Sequence, residues 1–285
     1  KPQMRSRALS LHQTAVFAGS GLGAVAAGYI ADAFSWHAPF LIFGGIGLIY
    51  VAVLWFFLYD APIVHTAAEQ GKPAEPIGIV LRIPAALILC AVFALATGAS
   101  TGVTFWAPYF VKNLLGLNLA ESAWVGAATI NIAGFCAVPL GGLLADTLAK
   151  KSPIGRFTTL AIGLGLAALL LLPLLGAKTA TQIGMVLVAT SIAKGLFDGC
   201  IYAAMQDVVP PHARATAVGM MTMIGFIGAG ITPILVAWIG ESFGMGSGIV
   251  AMAGLYALAV ILLLATRLQA RRGVAANQEV VHVVE

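Results

Sequence analysis

Lys194 and Asp198 stand four residues apart in SIAKGLFDGC, residues 191–200, a stretch with no other charge. On a helix, positions i and i+4 share one face, so the two can pair. Each also has chemistry of its own. An ammonium is a compact point charge with three donors, suited to an anionic or hydroxyl-rich ligand. A carboxylate can hold that lysine or carry a coupling proton. The plainer reading is a self-satisfied ion pair that fixes helix packing. The pair is neutral as a whole and does not by itself demand an anion.

Further polar residues interrupt apolar runs. His12 and Gln13 come early in the chain, and an imidazole changes charge near neutrality, as proton coupling requires. An interfacial histidine that is simply hydrogen-bonded explains His12 equally well. Asn131 can donate to a ligand or link helices. Trp106 is a candidate binding residue, although an aromatic belt at the membrane boundary accounts for it and for Tyr109. Tyr202, one turn beyond Asp198, can hydrogen-bond it. Cys90, Cys136 and Cys200 lack metal-ligand spacing and read as buried free thiols. GSGLGA, residues 19–24, matches part of a dinucleotide-binding pattern, but no strand precedes it. There is no H-E-x-x-H, G-x-S-x-G or P-loop pattern, so neither an enzyme, a cofactor, a metal nor an ATP-driven motor is expected.

The elements that position these residues follow from composition. The 285-residue chain is 60% hydrophobic and 9% charged, against about 25% charged in soluble domains. A soluble chain this apolar would expose large sticky patches. Uncharged runs cover residues 8–31, 33–59, 83–111, 122–145, 157–177, 215–240 and 242–266, and 180–206 is broken only by Lys194 and Asp198. Each run reaches the about 20 residues that a helix needs to cross a bilayer. Helix is required because a lone segment in lipid must satisfy its own backbone. The expectation is therefore an all-α integral membrane protein with eight spans. Pro84 suits a helix start, and Pro108, Pro173 and Pro233 can kink span ends. Gly19, Gly23 and Gly28, with Ala24 and Ala27, form a small-residue stripe in the first span.

Loop charge sets the orientation. One set of loops holds Lys1, Arg5, Arg7, Lys72, Arg82, Lys150, Lys151, Arg156, Arg214, Arg267, Arg271 and Arg272; the other holds Lys112 and Lys178. The rich set belongs in the cytoplasm, and with eight spans so does the C-terminus. Basic residues placed for topology do not form a nucleic-acid surface. Residues 60–78 are rich in Pro, Glu and Gly and read as a cytoplasmic linker. Residues 273–285 read as a disordered cytoplasmic tail.

The opening spans resemble the closing ones. RALSLHQ from Arg7 matches RATAVGM from Arg214, and ADAFSW (31–36) matches GESFGM (240–245), with Gly45 and Gly254 at the same offset. This is the pattern of a parallel repeat. Residues 1–59 then form the last two helices of a first six-helix half, and residues 79–272 a complete second half. Four earlier helices, roughly 130 residues, are expected upstream, giving twelve spans in about 410 residues.

These features resemble the major facilitator superfamily. GGLLADTLAKK (141–151) is similar to its G-x-L-A-D-R-x-G-R-R loop through Gly142, Leu143, Ala145, Asp146, Lys150 and Lys151, with Thr147 and Ala149 departing from it. PPHARATAVG (210–219) resembles the basic loop before helix 11, and SWHAPF the W-R-x-x-F motif, with His37 for Arg. FWAPYFVKNLLGL (105–117) is similar to the end of helix 7 in organic-anion carriers. The resemblance implies alternating-access transport of a small polar or anionic organic solute, proton coupling, and a plasma or inner membrane location. It implies a monomer when complete. The tenth helix would carry Lys194 and Asp198 to a central cavity. Gly142, Asp146 and Arg214 would form a conformational latch, with the Asp146 carboxylate at a neighbouring helix N-terminus. A drug/proton antiporter of the same fold and a non-transporting sensor are the alternatives. Lys194 speaks against the antiporter.

Overall fold

A computed structural model describes residues 5–58, 76–117 and 119–265 of the chain. Among these residues there are eleven α-helices and no strand. They are α1 (Arg5–Ala33), α2 (Ala38–Phe57), α3 (Pro76–Leu81), α4 (Pro84–Leu115), α5 (Leu119–Ala123), α6 (Thr129–Lys151), α7 (Gly155–Leu171), α8 (Ala180–Asp198), α9 (Ile201–Val208), α10 (Arg214–Phe243) and α11 (Met245–Ala265). Seven helical segments among the described residues are long and apolar enough to cross a membrane. The 29-residue α1 has the length to be the eighth expected span. Most of the expected linker, and the whole expected tail at 273–285, lie outside the described residues.

The chain forms two compact units: Lys1–Phe17 with Glu75–Glu285, and Ala18–Ala74. The larger unit is a bundle of six long spans. Within it α4 packs on α10 and α11, α7 on α8 and α11, and α6 on α7 and α8. α4 begins with Pro84 in its first turn, where a missing N–H is tolerated. It ends at Gly116, whose φ of 65° is the left-handed cap that glycine adopts without strain. At 32 residues α4 is about 48 Å long, more than a hydrocarbon core of about 30 Å requires. α5 runs into α6 through a π-helical turn, Trp124–Ala128. Gly126 of that turn sits against α4, and a Cβ there would stand 2.5 Å from the Pro108 nitrogen. Pro173 falls in the 3₁₀ turn that closes α7, while Pro108, Pro139 and Pro233 lie inside helices.

Small residues let the backbones of this bundle meet, as membrane helices without a hydrophobic driving force require. A Cβ on Gly141 would stand 2.6 Å from Leu196 Cα, and one on Gly195 would stand 2.6 Å from Ala137 Cβ. Gly163 likewise has no room beside Ala193. α8 is thus clamped between α6 and α7. The expected span 180–206 is present as one membrane-crossing segment, Ala180–Val208, with its helix interrupted: α8 stops at Asp198, Gly199 and Cys200 turn, and α9 follows. Gly195 and Gly199, one turn apart, both press on α6, against Ala137 and the Val138 carbonyl.

Two expectations need correction. Cys136 is exposed rather than buried; Cys90 and Cys200 are buried, and all three are free thiols. Among the described residues Gly19 and Gly23 make no close contact, since a Cβ on either would meet nothing within 4 Å. Close glycine contacts occur instead within the larger unit, between α6, α7 and α8 and also between α4, α10 and α11. In the smaller unit, α2 is strongly apolar and buries only Pro39, leaving Leu41, Leu48, Trp55 and Phe56 exposed. That surface suits acyl chains or further protein, not water.

Candidate functional site

α8 carries Lys194 and Asp198 one turn apart, facing the interior of the larger unit. The ammonium lies 2.6 Å and 2.7 Å from the two carboxylate oxygens. The side chains are only 12% and 6% exposed. The Phe197 ring centre is 5.8 Å from Nζ, within cation–π range. An isolated charge at mid-membrane costs about 2.5–3.5 kcal/mol on insertion scales, so pairing keeps this span viable. Asp198 is the last residue of α8.

Both charged groups line a cavity of about 30 Å³. Thr190 and Ser191 of α8 border it, with Ser100 and Thr104 of α4, Tyr256 of α11 and Phe17 of α1. Ser100 and Thr104 are one turn apart, so hydroxyls face the charge pair from a second helix. Ser191 donates to the Ile130 carbonyl at 2.7 Å, and Tyr256 interacts with Ser100. The cavity has room for about one or two waters and not for an organic molecule, so a solute can occupy it only when its walls part.

A second charged cluster stands at the opening turns of α1. Asp146, fully buried on α6, accepts from the backbone N–H groups of Ser6 at 3.3 Å and Arg7 at 3.0 Å. Asp146 thus ties α6 to the backbone of α1. Gly142 makes room for it: a Cβ there would meet the Ser10 side chain and stand 2.9 Å from the Ser6 carbonyl oxygen. Arg156, at the start of α7, joins three groups. It donates from Nη2 to Asp146 at 2.8 Å, from Nη1 to Asp207 at 2.5 Å and from Nε to the Ser6 hydroxyl at 2.7 Å. Such a fork suits arginine and not lysine. Arg214, expected in the latch, donates Nε to the Gln206 carbonyl at 3.1 Å.

The other expected residues lie elsewhere. On α1 the buried face is Ser6, Ser10 and Thr14, at helical spacing; His12 is exposed and Gln13 half-buried. Neither lines the cavity. The Asn131 amide donates to its own helix, at the Ala127 carbonyl 3.0 Å away. Trp106 donates from Nε1 to the Pro233 carbonyl at 2.8 Å and so ties α4 to α10. Tyr202, on α9 beyond the break, interacts with Thr222 and packs its ring edgewise on Phe93. Sequence reasoning passed over Arg156, Asp207, Thr190, Ser100, Thr104 and Tyr256. Arg156 was absorbed into the positive-loop pattern, and Asp207, like Asp146, stands beside a basic loop. For the hydroxyls the available signal was the spacing Ser100–Thr104 and Thr190–Lys194.

Comparison with known proteins gives a consistent picture. The family model of the Major Facilitator Superfamily matches residues 1–192 and 152–283. A probable small intestine urate exporter of the mouse is 28% identical over 256 residues, covering 81% of this chain and 51% of that protein. A hexuronate transporter of Bacillus subtilis is 28% identical over 269 residues, covering 89% of this chain and 63% of that protein. The chain thus spans between about half and two thirds of the length of these relatives. A bacterial homologue of the human lysosomal transporter Spinster, crystallised inward-facing and unoccupied, shares the fold with a TM-score of 0.67 and 18% identity. That match covers 96% of this chain and 68% of the other.

Proposed function

Because this chain belongs to the major facilitator superfamily, we propose that it serves secondary transport of a small organic anion, with Lys194 as the charge that receives it. The observation that carries this reading is the buried Lys194–Asp198 pair on the wall of an internal cavity. The relatives support it: one is named as a urate exporter and another as a hexuronate transporter, and both solutes are organic anions.

The pair suggests how anion and proton are coupled. With both Asp198 oxygens on the ammonium, Lys194 is occupied. Protonating Asp198 removes its negative charge and releases Lys194 to a substrate carboxylate. Anion and proton then enter as a neutral pair, which avoids leaving an uncompensated charge inside the bundle. Alternating access supplies the opening that the small cavity needs. In this reading Gly142 and Asp146 act as a latch, holding the opening turns of α1 against α6 and releasing them as the halves rock. The protein sits in the plasma or inner membrane with its C-terminus cytoplasmic, and residues 1–59 and 79–272 belong to the two halves.

Thermal unfolding of the purified complete gene product, screened against carboxylates, sugar acids and cationic dyes, tests this reading. Anions should raise the melting temperature in wild type and not in Lys194→Ala. Stabilisation by cationic dyes alone would replace the proposal with a drug carrier. No stabilisation by any solute would favour a sensor.

A further inference from the structure

Of the hydroxyl residues that line the cavity, Thr190 carries a buried hydroxyl without a partner among the described residues. Thr190 is 4% exposed, and its Oγ1 makes no hydrogen bond among the described residues. Helical threonines ordinarily give their proton to the carbonyl four residues back. Thr129, Thr158, Thr159 and Thr222 all do so here. Thr190 does not, although a buried hydroxyl left unpaired bears its whole desolvation cost. Its helix neighbour Ser191 spends its proton on Ile130, so Thr190 is the uncommitted hydroxyl on α8 in this cavity.

Its position is informative. Thr190 and Lys194 are at i and i+4, with side chains about 5–6 Å apart at Cβ. Asp198 engages Lys194 through two contacts, and an ammonium has three protons to give. Ser100 and Thr104 line the cavity from α4. A ligand bearing a carboxylate and a hydroxyl a few ångströms apart satisfies both α8 groups at once: carboxylate on Lys194, hydroxyl on Thr190. Resting on the anion-carrier reading above, we propose that Thr190 is a specificity residue that reads a substrate hydroxyl, and that the substrate is a hydroxylated carboxylate rather than a plain one. A site with a polar group waiting for a hydroxyl rejects analogues that lack it, because that group is then left unpaired.

The test measures binding of gluconate and hexanoate, six-carbon monocarboxylates with and without hydroxyls, to the purified complete gene product. Wild type should prefer gluconate by about tenfold, the net value of one hydrogen bond. In Thr190→Val, which keeps the side-chain shape, gluconate affinity should fall towards that of hexanoate, with hexanoate binding unchanged. Thr190→Ser keeps the hydroxyl and should keep the preference. The melting temperature of unliganded Thr190→Val should equal or exceed that of wild type, because an unpaired buried hydroxyl has been removed; a marked fall would give Thr190 a structural role and overturn the inference. Equal binding of both acids by wild type, or an unchanged preference in Thr190→Val, would also overturn it while leaving the anion reading in place. Binding of neither acid nor any other carboxylate would overturn the anion reading and this inference together.

Discussion

Two residues with opposite charges meet inside the larger unit, and their separate fates under substitution distinguish packing from transport. Asp198→Asn removes the negative charge that occupies Lys194 while preserving the side-chain shape. On the proposed coupling, uptake by wild type should depend on pH, and in Asp198→Asn, where no carboxylate holds the lysine, this dependence should flatten while anion exchange persists. Initial uptake rates across a pH series check it, and an unchanged slope in the variant removes the proton from Asp198. Arg156 belongs to the same scale but to stability. Arg156→Ala leaves Asp146 buried without its guanidinium and takes a partner from Asp207, which should cost about 3–5 kcal/mol. Arg156→Lys should recover only part, since one ammonium cannot span Asp146, Asp207 and Ser6. Thermal unfolding in detergent measures both.

At the level of helices, glycines decide where α8 can stand. Gly195 has a Cβ-sized clearance problem against Ala137, and Gly141 against the Leu196 backbone. Gly195→Leu should therefore push α8 off α6 and displace Lys194 and Asp198 together, lowering both melting temperature and anion binding, whereas Gly219→Leu on α10, with open space around it, should do neither. Most helix positions were legible in the sequence, because lipid leaves an uncharged run of this length little choice but helix. Pro84 and the i, i+4 spacing of the charge pair were legible for equally local reasons. The break at Gly199 and Cys200, the π turn at Trp124–Ala128 and the approach of Gly126 to Pro108 were not. Each depends on a neighbouring helix that periodicity does not reveal. The exposure of His12 has the same origin: Ser6, Ser10 and Thr14 take the packed face of α1.

For the whole molecule, an excess of Lys and Arg on alternate loops states an orientation that labelling can check. Lys150 and Lys178 are both exposed and fall on opposite sides in that scheme. Cysteines introduced in their place, on a background lacking the three native ones, should react with an impermeant maleimide from opposite faces of the membrane, Lys150 from the cytoplasm. Labelling of both from one side contradicts the span order. The family and the all-helical architecture were readable from charge spacing and the loop motif at 141–151, whereas the cavity's hydroxyl lining emerges only when α4, α8 and α11 are brought together. The account as a whole rests on a lysine held inside the bilayer to meet an anion. Uptake of a labelled organic anion into proteoliposomes by Lys194→Ala, at membrane levels equal to wild type, tests this most directly: the account predicts that uptake is abolished while the protein still inserts, and uptake at the wild-type rate would contradict it.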